Sequence, residues 1–445
     1  MRRISSEKRM NKIVIIGAGL AGLGTAYGLQ QQSENPAVTI LEREDRPGGL
    51  CRTEEKGGFF FDRTGHLLHY QTEQFKQFVE EKLPDGLAER KRNSWVYSHD
   101  VYTRYPFQAN LYGLPAEVVT ECLYGYCEAV YGYHGTPIET FEDWILAHFG
   151  SGIARHFMVP YNTDLYKRHP SELSPDIAEK FIPKPDLRRV IRGAVSDNNE
   201  NLGYNANFLY PQHGGIETLV RAIARDVQGL RTKQEVQAID LKQKKVLASR
   251  GEMFDFDLLV STTPLPELMR MMKETPQNVR DAVESLEHVS VLNVNLGVKG
   301  VTGEKHWIYI PEERFIFYRV GFANNFSEHM APPGCSSIYT EISYRPSGPP
   351  NEADMVKRVI SDLMAMKIIG SKAEVISQMV FDIPYAYVIF NHARKEALSI
   401  ISSFLAEQGI FSIGRYGRWD YLSMEESFMD GMATATELRR RLSHA

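Results

Sequence analysis

The chain has 445 residues and a formal net charge of −5, with 43% hydrophobic and 24% charged residues. That length carries two or three domains, each with its own core, and the mild charge excludes the broad field that a nucleic-acid or anionic-membrane partner would need. Four cysteines, Cys51, Cys122, Cys127 and Cys335, are too few and too scattered for a disulfide framework. Cys122 and Cys127 fall in a predicted helix without companion ligands, so no metal site is expected.

The start MRRISSEKRM followed by an apolar run imitates a signal peptide. However, that run carries a glycine fingerprint and leads into a strand tipped by an acid, so cleavage would discard half of a cofactor site. No stretch reaches the roughly 18 apolar residues that span a bilayer. A cytoplasmic chain with reduced thiols is expected.

In chain order, KIVIIGAG reads as a buried parallel strand feeding a tight turn. Gly17, Gly19 and Gly22 then form G-x-G-x-x-G: the first allows the turn, the second the approach of a pyrophosphate, the third close packing of a helix over 20–31. The N-terminus of that helix, with Leu20 and Ala21 in its first turn, offers N–H groups and a positive dipole end to phosphates. AVTILE follows as a second strand ending in Glu42, where a carboxylate accepts from a ribose. A lone glycine fingerprint is a weak signal, but strand, fingerprint, helix, strand and acid in register make a strong one.

Residues from about Leu111 to Arg192 read as mainly helical, with EVVTECLYGYCEAVYGY and TFEDWILAHFG the clearest patterns. EVQAIDLKQKKVLASRGEMFDF predicts strands and a hairpin returning to a buried LLVSTT strand. SVLNVNLGV, FIFYRVGFAN and SIYTEISY alternate as strands of a sheet layer, PSGPPNEADM (346–355) is the clearest loop, and GRYGRWDYLSM is a glycine-rich turn before a helix from about Glu425. The predicted class is α/β: a discontinuous Rossmann-type cofactor domain, a helical insertion domain and an antiparallel β-sheet substrate domain. Its expected division is 1–75, 204–270 and 405–445 for the cofactor domain, 76–110 for a sheet-layer and nucleotide-contact segment, 111–203 for the helical domain and 271–404 for the antiparallel sheet.

Directly after Glu42, RPGGLCRTEEKGGFFFD brings Pro47, Gly48, Gly49, Arg52 and Thr53, which resembles the second glycine signature of the flavoproteins that include amine oxidases and protoporphyrinogen oxidase. The resemblance implies FAD as the dinucleotide. The cofactor contacts then expected are Gly17, Gly19, Leu20, Ala21, Gly22, Glu42, Arg43, Gly49, Leu50, Arg52, Gly65, His66, Val236, Gly414, Arg415, Tyr421, Met424 and Ser427.

Further clusters, in order, resemble the UDP-galactopyranose mutase family, its eukaryotic branch more than its bacterial one. Thr64-Gly65-His66 is similar to that family's histidine loop, Tyr105-Pro106-Phe107-Gln108 with Asn110 to a nucleotide-holding stretch, and Phe157-Met158-x-Pro160-Tyr161-Asn162 with Tyr166 to the uridine pocket. Gly203-Tyr204-Asn205, then Tyr210-Pro211 and Gly214-Gly215, resemble the next segment. Trp307-x-Tyr309-x-Pro311-Glu312 leading to Phe317-Tyr318-Arg319, and Gly414-Arg415-Tyr416-Gly417-x-Trp419-x-Tyr421, resemble the surroundings of two diphosphate-binding arginines; Tyr387 matches a third phosphate contact. The likeness touches residues 13 to 431.

It implies a mutase interconverting UDP-galactopyranose and UDP-galactofuranose through a reduced-flavin N5 covalent sugar adduct, with NADPH or NADH as reductant. His66, Arg319 and Arg415 are the implied catalytic residues. Tyr105, Phe107, Gln108, Phe157, Asn162, Tyr166, Asn205, Trp307, Tyr309, Arg319, Tyr387, Arg415 and Tyr421 are the implied substrate contacts. Arginine forks match phosphate oxygens independently of any family, and tyrosines add donors without charge. Taken singly, each arginine reads equally as a surface ion pair, each tyrosine as packing and His66 as an ordinary loop histidine.

The chain departs from the family at Thr64, where glycine is usual, and at Tyr166, where tryptophan is common. Lys180 and Lys184 stand near Phe181, where a further arginine is usual. Val388 replaces a proline and Ser423 a bacterial aspartate. These departures leave the sugar open. A flavin oxidase or dehydrogenase, a mutase of another nucleotide sugar, and a silent flavin-stabilised binding protein remain alternatives on one fold.

Overall fold

The computed structural model describes residues 11–31, 36–84, 86–132, 135, 137–178, 182–197 and 206–443. Asn205, with Gly203 and Tyr204, and the Lys180–Phe181 pair lie outside them.

Short β-branched runs build a five-stranded, wholly parallel sheet in the order Ile410–Ser412, Leu258–Ser261, Lys12–Ile16, Ala37–Leu41, Leu230–Arg231. Its strands come from the beginning, middle and end of the chain. The order reverses direction between Lys12–Ile16 and Leu258–Ser261, which is where open parallel sheets take ligands beyond their carboxyl ends. The helix Leu20–Gln30 packs on the C-terminal helix Met424–Ser443 at backbone distance: a Cβ built at Gly431 lies 2.2 Å from the Ala21 carbonyl oxygen, so only glycine fits there. An antiparallel meander, Val236–Asp240, Lys245–Ala248 and Met253–Asp255, stands beside the sheet.

The second sheet has seven strands in the order Val375–Val388, His288–Lys299, Cys335–Tyr344, Arg319–Phe322, Trp307–Tyr309, Ser94–Ser98, Val101–Arg104. Its pairs are antiparallel except Trp307–Tyr309 with Ser94–Ser98, which run parallel. Ser94–Ser98 reaches the sheet from a distant part of the chain, so no hairpin dictates its direction. Along His288–Lys299 the side chains alternate. Leu292, Val294, Leu296 and Val298 bury against Val356, Val359, Ile360 and Leu363 of the helix Glu352–Ala365, which leaves Asn293 and Asn295 on the opposite face.

On that opposite face the register aligns two rows. Asn293, Glu341, Arg319 and Tyr309 are direct cross-strand neighbours, and so are Asn295, Tyr339, Gly321 and Trp307. A polar row inside a sheet is tolerated only where its members pair with one another or with a ligand.

The helices Ala116–Gly132 and Phe141–Ile153 cross at backbone contact, with a Cβ built at Gly152 only 2.2 Å from the Glu121 carbonyl oxygen. Thr140 and Asp143 close a capping box at the start of the second helix. After it, a π-helical turn, Ala154–Met158, runs into the helix Val159–Tyr166. No described helix is long and apolar enough to cross a membrane.

His306, just ahead of the strand Trp307–Tyr309, is 5% exposed and packs on Phe208 and Phe326. Its Nδ1 accepts the Asn93 N–H at 2.9 Å, which requires that nitrogen to be unprotonated. Burial, with repulsion from Arg90, lowers its pKa from 6.5 to about 4. The unfolded chain therefore binds a proton that the folded chain refuses. His306 by itself should contribute about 3 kcal/mol of stability that is fully present above pH 6.5 and lost as pH falls to about 4. Urea midpoints from pH 7 to 4 should fall less steeply in His306→Gln than in the parent, the remaining fall coming from His66 and His288, which burial lowers likewise to about 4; identical slopes in both proteins would refute the assignment.

Candidate functional site

At the carboxyl end of Lys12–Ile16 the backbone turns at Gly17, with φ +95°. Gly19 follows as N-cap of the Leu20–Gln30 helix with no side-chain hydrogen bond, so its first N–H groups are left for a ligand. Across the opening stands Gly49, also left-handed at φ +58°. A Cβ built at Gly19 meets nothing nearer than the Gly49 Cα at 4.0 Å. Steric need within the protein therefore does not explain this glycine, whereas a pyrophosphate lying between the two loops does.

Glu42 is 6% exposed; one carboxylate oxygen accepts the Ala18 N–H at 2.8 Å and the other the Glu44 N–H at 3.0 Å. A carboxylate offers about four acceptor sites, so it retains capacity for a ribose diol. Val236 is buried at the head of its strand, beside the Gln234 N–H bonded to the Glu42 carbonyl at 2.8 Å. The glycine segment at 47–53 is anchored from below, since Glu217 accepts the Thr53 N–H at 2.8 Å and Arg46 at 2.8 Å.

Arg43 is exposed and faces Glu44 at 3.4 Å. Arg52 is buried among Glu44, Asp45 and Glu54, with its Nε unpartnered among the described residues. Leu20 and Ala21 are buried, Leu50 half-buried. Gly414, at φ +75°, donates to Asp430 at 2.8 Å and packs on Ala21. Met424 and Ser427 occupy the first turn of the C-terminal helix, whose start is closed by reciprocal bonds between Ser423 and Glu426 at 3.2 and 2.7 Å. Ser423 thus acts as a helix cap, a role that aspartate would perform equally well.

The second sheet brings a dense polar cluster to the same opening. Arg319 Nη2 donates to both oxygens of Glu341 at 2.6 and 2.7 Å, while its buried Nε is unpartnered among the described residues. Glu341 is 0% exposed and also accepts from Tyr318 at 2.5 Å. The Tyr318 hydroxyl stands 3.4 Å from that of Tyr387, and Tyr387 stacks on Tyr421 with centroids 5.5 Å apart. Arg415 lies 3.9 Å over the Tyr421 ring and 5.9 Å over Tyr387, and donates to the Leu422 carbonyl at 3.0 Å. Two guanidiniums thus stand about Tyr387, Arg415 over its ring and Arg319 linked to it through Glu341 and Tyr318, and the described residues supply them a single paired carboxylate.

His66 lies beside this cluster. Burial first, then Arg415, lowers its pKa to about 4, so the ring is neutral at pH 7. Thr64 Oγ1 stands 3.4 Å from its Nδ1. A Cβ built at Gly65 lies 2.2 Å from the Tyr339 hydroxyl, which forces glycine at that position.

Beside the polar cluster lies a continuous aromatic layer, in which Tyr105, Tyr161 and Tyr309 are half-buried and Phe107, Phe157 and Tyr318 belong to the core. Tyr105 packs on Tyr309 at 4.6 Å, Phe107 stacks on Phe157 at 5.0 Å and Phe157 on Tyr161 at 5.3 Å; Tyr161 meets Tyr309 and Tyr318 edge-on. Tyr166 meets Tyr387 edge-on at 6.4 Å. Asn162 is buried and donates to the Met158 carbonyl at 2.7 Å. Gln108, 1% exposed, donates to Pro183 at 2.9 Å and leaves Oε1 unpartnered among the described residues. Trp307 is 4% exposed and sits among Phe208, His306 and Phe326. Lys184 lies over the Trp144 ring at 4.7 Å with its Nζ 3.0 Å from His148.

Sequence reasoning did not single out Glu341, Tyr339 or Asn293, and quoted Tyr161 and Tyr318 only as parts of motifs. A signal did exist. Tyr339 and Glu341 alternate with Ile338 and Ile342 along a buried strand, as Asn293 and Asn295 alternate with Leu292, Val294 and Leu296 along another, and a glutamate in such a register needs a buried cation.

Gly19→Val should fold, since the site has room for its Cβ, yet emerge colourless because the backbone can no longer approach a pyrophosphate. A folded, fully flavin-loaded variant would contradict this. Arg319→Ala strands the buried Glu341 and should cost about 3–5 kcal/mol of stability, part of which Glu341→Gln recovers in the same chain. Urea denaturation decides it: an Arg319→Ala protein as stable as the parent would show that the pair is solvated.

The family model for flavin containing amine oxidoreductases matches residues 20–438. The fold superposes on that of a reduced UDP-galactopyranose mutase with a TM-score of 0.91 at 29% identity, over 98% of this chain and 96% of that one. It superposes on a putative protoporphyrinogen oxidase from Exiguobacterium sp. 255-15 with a TM-score of 0.76 at 14% identity, over 97% and 99% of the two chains, a likeness of fold alone. Among curated relatives, coproporphyrinogen III oxidase of Staphylococcus aureus (strain NCTC 8325 / PS 47) is 23% identical over 322 residues, 64% of this chain and 66% of its own length. Phytoene dehydrogenase of Streptomyces griseus is 27% identical over 312 residues, 61% and 58% of the respective lengths. The chain thus spans less than two thirds of the length of both these curated relatives. A match over nearly the whole chain, on a fold whose facing glycines leave room for a pyrophosphate, establishes the kinship: the chain belongs to the flavin containing amine oxidoreductase family.

Proposed function

We propose that the protein is a flavin-dependent mutase that interconverts the pyranose and furanose forms of a nucleotide sugar, UDP-galactose first among them. The observation that carries this reading is the grouping of two guanidiniums about Tyr387, Arg415 over its ring and Arg319 joined to it through Glu341 and Tyr318, with Glu341 pairing Arg319 alone. A half-buried site with that surplus of positive charge suits a diphosphate, and an amine substrate would be repelled from it.

The cofactor fitting the glycine cradle is FAD; when bound and reduced it supplies the nucleophile for the sugar's anomeric carbon. The protein's own groups bind, orient and exclude water. Arg319 and Arg415 hold the diphosphate as it departs and returns, and the Tyr387 and Tyr421 hydroxyls donate to it without adding charge. Tyr105 and Tyr309 face the nucleoside, and Phe107, Gln108, Phe157, Asn162 and Tyr166 back them from the core. Neutral His66 can donate from one ring nitrogen and accept at the other beside the cofactor, so it orients rather than charges the reacting centre. NADPH or NADH is the proposed reductant, binding transiently in the same cleft. The family model and the curated relatives favour a second reading, an oxidation with oxygen or another acceptor.

Dithionite-reduced protein, held anaerobically with UDP-galactofuranose, should yield UDP-galactopyranose by chromatography, and oxidised protein should not. Bound, reducible FAD with no conversion would sink the sugar assignment, and oxygen uptake with an oxidisable substrate would favour the second reading. Arg415→Ala should weaken UDP binding roughly 10- to 100-fold at unchanged flavin content, the loss expected for one charge-assisted hydrogen-bonding group. Unaltered UDP affinity would remove Arg415 from the diphosphate site.

A further inference from the structure

We infer that Asn293 is the positioning residue for the His66 loop, holding Thr64 in a left-handed backbone conformation that sets where the imidazole stands. The inference rests on the flavin part of the proposed function and not on the identity of the sugar.

Thr64 has φ +68°. It is the one β-branched residue in that region among the described residues; the others are His99, Asp100, four lysines at 167, 233, 244 and 367, Arg250 and Trp419. A branched Cβ is strained there, and such strain persists only where the surroundings over-determine it. Two restraints do so, and both come from the cofactor-facing rows of the second sheet. Tyr339 closes on Gly65 so tightly that no side chain fits. Asn293 accepts the Thr64 N–H at 3.2 Å.

The orientation of the Asn293 amide follows from its neighbours. Its oxygen also accepts from the Asn295 amide at 2.6 Å, and its nitrogen donates to the Thr340 carbonyl at 3.1 Å. Turning the amide over would set its donor against two donors and its oxygen against a carbonyl, so the network admits one arrangement. Asn293 is 0% exposed and directly across the strand from Glu341, the anchor of Arg319. The same sheet row therefore fixes a proposed phosphate-holding cation and, through Thr64, the loop that carries His66. Glycine would adopt the left-handed region without cost, and this chain has threonine, so it depends on Asn293 more than a glycine-bearing loop would.

That dependence is testable by rescue. Asn293→Ala removes the acceptor, and Thr64 should relax towards extended backbone and carry His66 with it. In FAD-loaded protein the visible flavin band and the His66 imidazole nitrogen shifts should both move. Sugar turnover should fall at least tenfold, with KM changed less than threefold. Adding Thr64→Gly should return the band, the shifts and most of the lost rate, because glycine holds the conformation unaided. A double variant no better than Asn293→Ala, or an Asn293→Ala protein with unmoved band and shifts, would overturn the inference. If Asn293→Ala does not fold, adding Thr64→Gly should restore folding with the parent's His66 shifts; a double variant that also fails to fold, or folds with displaced shifts, would again overturn it. Should the protein not act on the sugar at all, the spectroscopic readouts still decide the role of Asn293.

Discussion

The pairing of Arg319 with Glu341 is the constraint on which the site depends. A guanidinium and a carboxylate withdrawn from water cost more in lost hydration than a surface pair could return, and they persist only with near-ideal geometry and further hydrogen bonds. Here the geometry comes from direct cross-strand register, which places the two residues opposite each other on neighbouring strands. The additional bond comes from Tyr318. Once Arg319 is tied down on one edge its guanidinium has a fixed direction, and Tyr318 links the pair to Tyr387, on which Tyr421 stacks and over which Arg415 lies.

The row that contains this pair also explains how two unlike layers form one cleft. One face of the second sheet is apolar and packs on the Glu352–Ala365 helix; the other is polar and packs on the segments that follow the parallel sheet. Tyr339 against Gly65 and Asn293 against Thr64 are contacts between the two layers, made by side chains that alternate along their strands with core residues. The site is a seam between layers, and its polar groups are satisfied by residues distant in sequence. A shift of one residue in any of these strands would turn the whole polar row into the apolar core, so the core packing itself fixes the register.

Seams of this kind explain why parts of the site were legible in the sequence and others were not. The glycine fingerprint, the helix after it and Glu42 are local: the turn geometry and the spacing from turn to acid are set within some thirty residues, and the fold-level reading of a parallel sheet with a second sheet followed from that start. Arg319, Arg415 and the tyrosines could be named because they resemble motifs of known spacing. Glu341 and Asn293 could not, because their significance lies in cross-strand neighbours, and a strand's own sequence does not state what it pairs with. Arg52 is a different case. Beside a glycine signature it reads as a cofactor contact, whereas its guanidinium is engaged with three carboxylates. Trp307 likewise reads as a substrate contact and is enclosed among Phe208, His306 and Phe326.

What the sequence determined alone is therefore the chemistry available: a glycine turn, an acid at the end of the second strand, two arginines among tyrosines and a histidine after a glycine. Backbone sterics and side-chain type fix those locally. Tertiary structure decided which of these groups meet, in what charge balance, and at what backbone cost. The left-handed Thr64, the carboxylate that orients Arg319 and the neutrality of His66 all arise from burial and from neighbours supplied by other strands. Those terms exist only once the layers have closed.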